Sequence, residues 1–254
     1  MNMQKRDQAE AGPHTRIALL HKDTVATLSH ALHKARARRV IDLGCGDGTI
    51  AAALAAEGFS LTGVDPSAGM IATARKHFPD MDFLCGRAEE LPQGLPRFDA
   101  AYFVNALHHV PEGAMEAALM GAVNAVGGQG VVLVIEPLAQ GSFFRAMRPV
   151  EDETRVRARA ETAIESLISD GRLMLRDLSR WNRESRFHGL EDFVQYLARV
   201  LPERAEIARR NEAALARAWR DNLRSAEGMA VLVQPMVCWT LAAGPAARPE
   251  GARS

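Results

Sequence analysis

Four short stretches of this chain combine residue types and spacings that could do chemistry. The first is VIDLGCGDGTI at 40–50, an apolar strand running into a turn where Gly44, Gly46 and Gly48 alternate with other residues. Bare glycine backbone turns sharply and admits a ligand where any Cβ would collide. The second is LTGVDPS at 61–67, whose Asp65 ends a strand nineteen residues after Gly46. A carboxylate in that place lies beside the glycine turn and can accept hydrogen bonds from both hydroxyls of a ribose. The competing role for Asp65 or Ser67 is to cap the helix that follows. The third stretch is CGRAEELP at 85–92, and the fourth is FDAAYFVNALHHV at 98–110. His108 and His109 are candidates for a general base, although adjacent side chains diverge and either can be a structural histidine.

The elements around these stretches must bring them together. Short apolar runs alternate with helical ones in the order RRVIDLG, TIAAALAAEG, SLTGVD, SAGMIATARKHF, DFLCG. That β-α-β-α-β alternation marks a parallel sheet with crossover helices. Further strands are expected at 98–105 and 130–136, with a helix over 112–125 between them. Glu136, at the end of the fifth strand, sits on the edge where such sheets bind ligands. Ahead of the first strand, Ile17, Leu20, Val25, Leu28 and Leu32 recur at helical intervals, which predicts a helical lid over 1–39. Beyond Pro137 an Arg/Glu-rich helix at 151–169 delays the next strand, expected at 172–178. Two helical stripes follow, Leu190, Phe193, Val194, Leu197 and Leu201, then Ile207, Leu215, Trp219 and Leu223. A last strand is expected over 230–241, and 244–254 reads as a disordered tail. The expected organisation is therefore a ligand-binding core at 40–137, with insertion helices and the C-terminal part of the same domain at 138–243.

The glycine turn resembles motif I of the class I S-adenosylmethionine-dependent methyltransferases, a strand followed by D/E-x-G-x-G-x-G. The resemblance runs from about residue 38 to 137. It implies an α/β, Rossmann-like fold with a mostly parallel seven-stranded sheet, an antiparallel last strand and flanking helices. It also implies S-adenosyl-L-methionine as cofactor, with Gly44, Cys45, Gly46 and Gly48 forming the turn, Asp42 holding that turn or contacting the ligand's amino end, Gly44 and Gly46 along the methionine part, and Asp65 with Pro66 at the ribose. The third stretch resembles the family segment G-D-A-x-x-L-P that borders the adenine. Arg87 stands where that pattern has Asp, Ala88 keeps its backbone N–H, and Glu89 can replace the missing acceptor. The fourth resembles motif IV in an "ALHHV" form, which places the Asn105 backbone near the ligand's amino group and His108 or His109 near the acceptor.

Composition narrows the reaction class. The chain has 254 residues, 47% hydrophobic and 24% charged, enough for a sizeable core without staples. Lys+Arg and Asp+Glu both total 31, so no net field recruits nucleic acid, and a small-molecule acceptor is favoured. No run is long and apolar enough for a membrane span, and Cys45, Cys85 and Cys238 show neither disulfide nor zinc spacing, so the cytoplasm is the expected location. No metal is expected, and oligomeric state is not encoded in any feature of the chain. Two other readings stay open: a non-catalytic S-adenosylmethionine- or S-adenosylhomocysteine-binding protein, and a nicotinamide-dependent oxidoreductase. Against the second, Thr49 stands where G-x-G-x-x-G needs its last glycine, and Ala106 and Val200 follow the two tyrosines where Tyr-x-x-x-Lys needs lysine. Phe143, Phe144, Met147, Trp181 and Phe187 can line an apolar acceptor site or simply pack a core.

Overall fold

A computed structural model of the protein describes residues 22–247. The chain forms two compact units, one of residues up to 136, 160–179 and from 238, the other of 137–159 and 180–237. Part of the expected lid, up to residue 21, and the tail beyond 247 lie outside the described residues.

The first unit is the sheet that the alternating pattern predicts. Five strands, β1 (Arg39–Leu43), β2 (Ser60–Asp65), β3 (Asp82–Cys85), β4 (Ala100–Val104) and β5 (Val131–Pro137), lie in the order β3-β2-β1-β4-β5 with parallel pairing throughout. Parallel strands joined by crossovers are covered on both faces, which is why β4 is buried along its whole length and β5 nearly so. The order continues into β8 (Met229–Ala243) and β6 (Leu173–Phe187), and the sheet turns antiparallel at its last strands. A three-residue strand, β7 (Arg224–Ala226), pairs with β8 outside that seven-strand path. Helix α1 (Lys22–Lys34) buries Leu28 and Leu32 completely. Helices α2 (Thr49–Ala55), α3 (Ala68–His77) and α4 (Met115–Val126) are the crossovers, and the Asp99 carboxylate ties the base of the sheet by accepting from the Arg38 and Arg39 N–H groups at 2.8 Å.

In the second unit, α5 (Gly141–Met147), α7 (Leu190–Val200) and α9 (Glu212–Asn222) build an aromatic core in which Phe143, Phe193 and Trp219 are buried. Phe193 meets Trp219 at 5.2 Å and Phe143 edge-on at 5.4 Å. Helix α8 (Glu203–Arg210) lies between α7 and α9 in sequence, and α6 (Thr154–Ser169) belongs to both units. Both sequence stripes are core faces, except that Leu201 falls just past the end of α7 and is 40% exposed. The sixth strand is 15 residues long, twice the expected 172–178. Its second half, RWNRESRF, is rich in charge, and the alternation that makes it a strand shows only in burial, with Arg183, Ser185 and Phe187 inward.

Candidate active site

All five parallel strands end on one edge of the sheet, and the four chemistry-bearing stretches are the loops that leave that edge. After β1 the chain turns over the end of β2: the N–H groups of Gly44 and Cys45 both donate to the Val64 carbonyl, at 2.8 and 3.1 Å. Gly44 has φ +83°, and a Cβ there would stand 2.5 Å from that of Ala106, so no larger residue fits. Gly46 has φ +55° and its missing Cβ would meet nothing within 4 Å, leaving its bare backbone beside open space.

Asp65 closes the turn. Its Oδ2 accepts from the Gly46 N–H at 2.9 Å and its Oδ1 from the Ser67 N–H at 2.8 Å. Each oxygen keeps acceptor capacity after one such bond. The capping role falls to Ser67, whose hydroxyl accepts from the Met70 N–H at 3.3 Å at the start of α3.

A cavity of about 380 Å³ opens against this edge, lined by Gly44, Asp65 and Pro66, by Arg87, Ala88 and Glu89, and by Asn105 and His109, among others. Arg87 pairs with Glu89 through Nε and Oε1 at 2.6 Å, which fixes a carboxylate in the wall four residues past the end of β3. Asn105 departs from ordinary backbone geometry with φ +50°, while its N–H continues the β4–β5 ladder to the Ile135 carbonyl at 2.8 Å. Its side-chain Oδ1 is buried and has no hydrogen-bond partner among the described residues. Strained backbone and an unsatisfied acceptor are both costly, and both occur where a ligand completes the structure.

Five of the expected residues do not line the cavity: Asp42, Cys45, Gly46, Gly48 and His108. Gly48 instead faces the Phe83 ring, 2.6 Å from where its Cβ would be. The Cys45 thiol is held protonated by burial and by the charges of Asp42 and Asp65. Asp42 is buried, and its Oδ2 accepts from the Tyr102 hydroxyl at 2.8 Å. Burial pushes its carboxyl up to about 7, opposed by the Tyr102 hydrogen bond and reinforced by Asp65. His108 is buried with Nδ1 against the Glu136 carboxylate, whose Oε1 accepts from the Leu107 N–H at 2.8 Å, and its ring lies 4.1 Å from that of His109.

Three supporting residues were not expected. Tyr102 pairs with Asp42 across the β1–β4 register; a tyrosine inside a wholly buried strand needs a partner for its hydroxyl, and that was the available signal. Gly63 leaves room for Phe83 and the Cys45 Sγ, each under 3 Å from where its Cβ would be. Gly121 in α4 lets the Ala88 carbonyl approach to 2.6 Å of the same position on its own backbone.

Comparison with known proteins agrees with this geometry. Residues 40–130 match a family model described as a methyltransferase domain. The ubiquinone biosynthesis O-methyltransferase of Azorhizobium caulinodans is 33% identical over 88 residues, 33% of this chain and 35% of that one. The demethylmenaquinone methyltransferase of Beutenbergia cavernae is 36% identical over 107 residues, 42% of this chain and 44% of that one. The chain thus matches less than half the length of these curated relatives. The YcgJ protein of Bacillus subtilis shares the fold with a TM-score of 0.63 at 17% identity, over 88% of this chain and 99% of its own. Over residues 40–130, less than half of its length, this chain is thus similar to a methyltransferase domain.

Proposed function

We propose that this protein moves a methyl group from S-adenosylmethionine to a small-molecule acceptor by in-line displacement. The observation that carries the reading is the turn after β1: bare backbone at Gly46 facing open space, with an Asp65 carboxylate that has acceptor capacity left. The residues fit the cofactor, because the orphaned Asn105 Oδ1 is an acceptor suited to an ammonium group. In this reading Gly44 and Gly46 lie along the methionine part, with Asp42 and Tyr102 bracing β1 behind them. Asp65 takes the ribose hydroxyls. Pro66 and the 86–89 loop flank the adenine, where Ala88 offers its N–H and Glu89, steadied by Arg87, accepts from the amino group in place of the family's Asp.

When bound, S-adenosylmethionine supplies a methyl already activated by its sulfonium. The protein's share is to hold the acceptor in line and exclude water, contributions worth roughly 7–11 kcal/mol in ideal intramolecular cases. For a hydroxyl acceptor, His109 in the cavity wall is the side chain placed to take the proton, with His108 and Glu136 fixing the segment behind it. The names of the quinone-pathway relatives support a small acceptor, and equal numbers of acidic and basic residues give nucleic acid no general attraction. Three free cysteines and the absence of any helix among the described residues long and apolar enough to cross a membrane support a cytoplasmic location.

The test is transfer of label from methyl-labelled S-adenosylmethionine into solvent-extractable product with a small-metabolite extract, beside a fluorescence titration with reduced nicotinamide dinucleotide. Labelled product without nicotinamide binding is expected. Nicotinamide binding without affinity for S-adenosylmethionine would reverse the assignment.

A further inference from the structure

A buried guanidinium ordinarily finds a carboxylate, because an unpaired charge out of water is costly. Two arginines of the second unit obey. Arg157 donates through Nε to Glu153 at 2.9 Å, and Arg204 donates through Nη2 to the other Glu153 oxygen at 3.0 Å. Arg183, on β6, does not. It is 6% exposed, and its Nε and Nη1 have no hydrogen-bond partner among the described residues. Its guanidinium carbon sits 6.0 Å from the centroid of the Phe143 ring, a cation–π contact that offsets only part of the cost.

The acid beside Arg183 on the strand and the acid in the β7–β8 turn are engaged elsewhere. Glu184 pairs with Arg224, and Glu227 pairs with Arg186. Two residues before Arg183, on the same face of the strand, the Trp181 Nε1 is also buried and without a partner. Residues i and i+2 of a strand stand about 7 Å apart. The same face thus presents a planar cationic fork and a second, neutral donor, with the Phe143 ring under the fork and Phe187 6.4 Å from that ring.

We infer that this face of β6 is a binding site for a small carboxylate-bearing ligand with an aromatic body. The carboxylate matches the Arg183 fork in plane and charge. The ligand's ring lies beside the Arg183 fork on this face, and the Trp181 N–H donates to one of the carboxylate oxygens. The site goes beyond the methyl-transfer reading and stands without it. Its unliganded cost is of the kind that binding sites carry at the expense of stability.

The test uses the full chain, titrated calorimetrically with benzoate and with benzamide, its uncharged counterpart. Benzoate is expected to bind at least about tenfold more tightly, and Arg183→Met to abolish that preference. Ligand-free Arg183→Met is expected to melt at a higher temperature than the parent, since it removes an unpaired buried cation. In the parent, the Trp181 indole N–H resonance is expected to move as benzoate is added. Equal or absent binding of the two probes, unchanged benzoate affinity in Arg183→Met, a static indole resonance, or a lowered melting temperature would each overturn the inference. S-adenosylhomocysteine affinity, measured on the same two proteins, is expected to be equal; its absence in both would count against the methyltransferase reading and leave the carboxylate site standing.

Discussion

Asp42 is a carboxylate that the fold keeps from ionising at its ordinary pH: burial first, and Asp65 nearby, push it up to about 7 although the Tyr102 hydroxyl favours its charge. A carboxyl whose folded pKa is raised binds its proton more tightly in the native state, so its contribution to stability is complete below about pH 4 and is lost as pH rises through about 7. Asp42→Asn keeps an acceptor for Tyr102 and cannot ionise. Melting curves should therefore show the variant gaining on the parent between pH 4 and 8, and a constant difference over that range would contradict the assignment. The two histidines separate in the same way. His108 is locked against Glu136 in the interior, so His108→Ala is expected to cost about 2–3 kcal/mol in denaturant unfolding, because it strands a buried carboxylate. His109 lines the cavity and is exposed; His109→Ala should leave stability within about 0.5 kcal/mol and lower turnover on a hydroxyl acceptor by roughly 10²- to 10⁴-fold. The reverse pattern would move the base to His108.

The element that matters most is the β1–α2 turn, and its two glycines predict opposite phenotypes. In Gly44→Ala the new Cβ meets Ala106 at 2.5 Å with φ +83°, so about 2–4 kcal/mol of destabilisation is expected from strain and overpacking. Gly46→Ala pays only the left-handed strain, about 1–2 kcal/mol, because nothing lies within 4 Å. Its Cβ instead enters the space assigned to the ligand, and affinity for S-adenosylhomocysteine should fall by about tenfold or more. Equal losses of stability and affinity in both variants would mean the turn has no ligand side. The turn, Asp65 and the loop after β3 were legible in the sequence because each is local: a strand, a tight turn and an acid at a fixed offset. The pairings Tyr102–Asp42 and His108–Glu136, 60 and 28 residues apart, arise only when parallel strands are laid in register. The far half of β6 was illegible for another reason: its charged outward residues outweigh its inward ones in any window of sequence, and burial alone reveals the period of two.

At the scale of the molecule, acidic and basic residues balance at 31 each, so duplex DNA at physiological salt is expected to give no salt-dependent anisotropy change; binding that weakens steeply with salt would reopen a nucleic-acid acceptor. The second unit stands on its aromatic core, and Phe193→Ala, which removes a fully buried ring between Phe143 and Trp219, is expected to cost about 3–5 kcal/mol. Family likeness reaches residues 40–130, and the parts beyond it carry the features least visible in sequence. The most direct measurement of the central claim is calorimetric titration of S-adenosylhomocysteine into the folded chain and into Asp65→Ala. A saturable heat in the parent, with affinity lowered at least about tenfold, or 1.4 kcal/mol, in the variant, is the predicted result. No heat in the parent, or identical affinity in both, would contradict it.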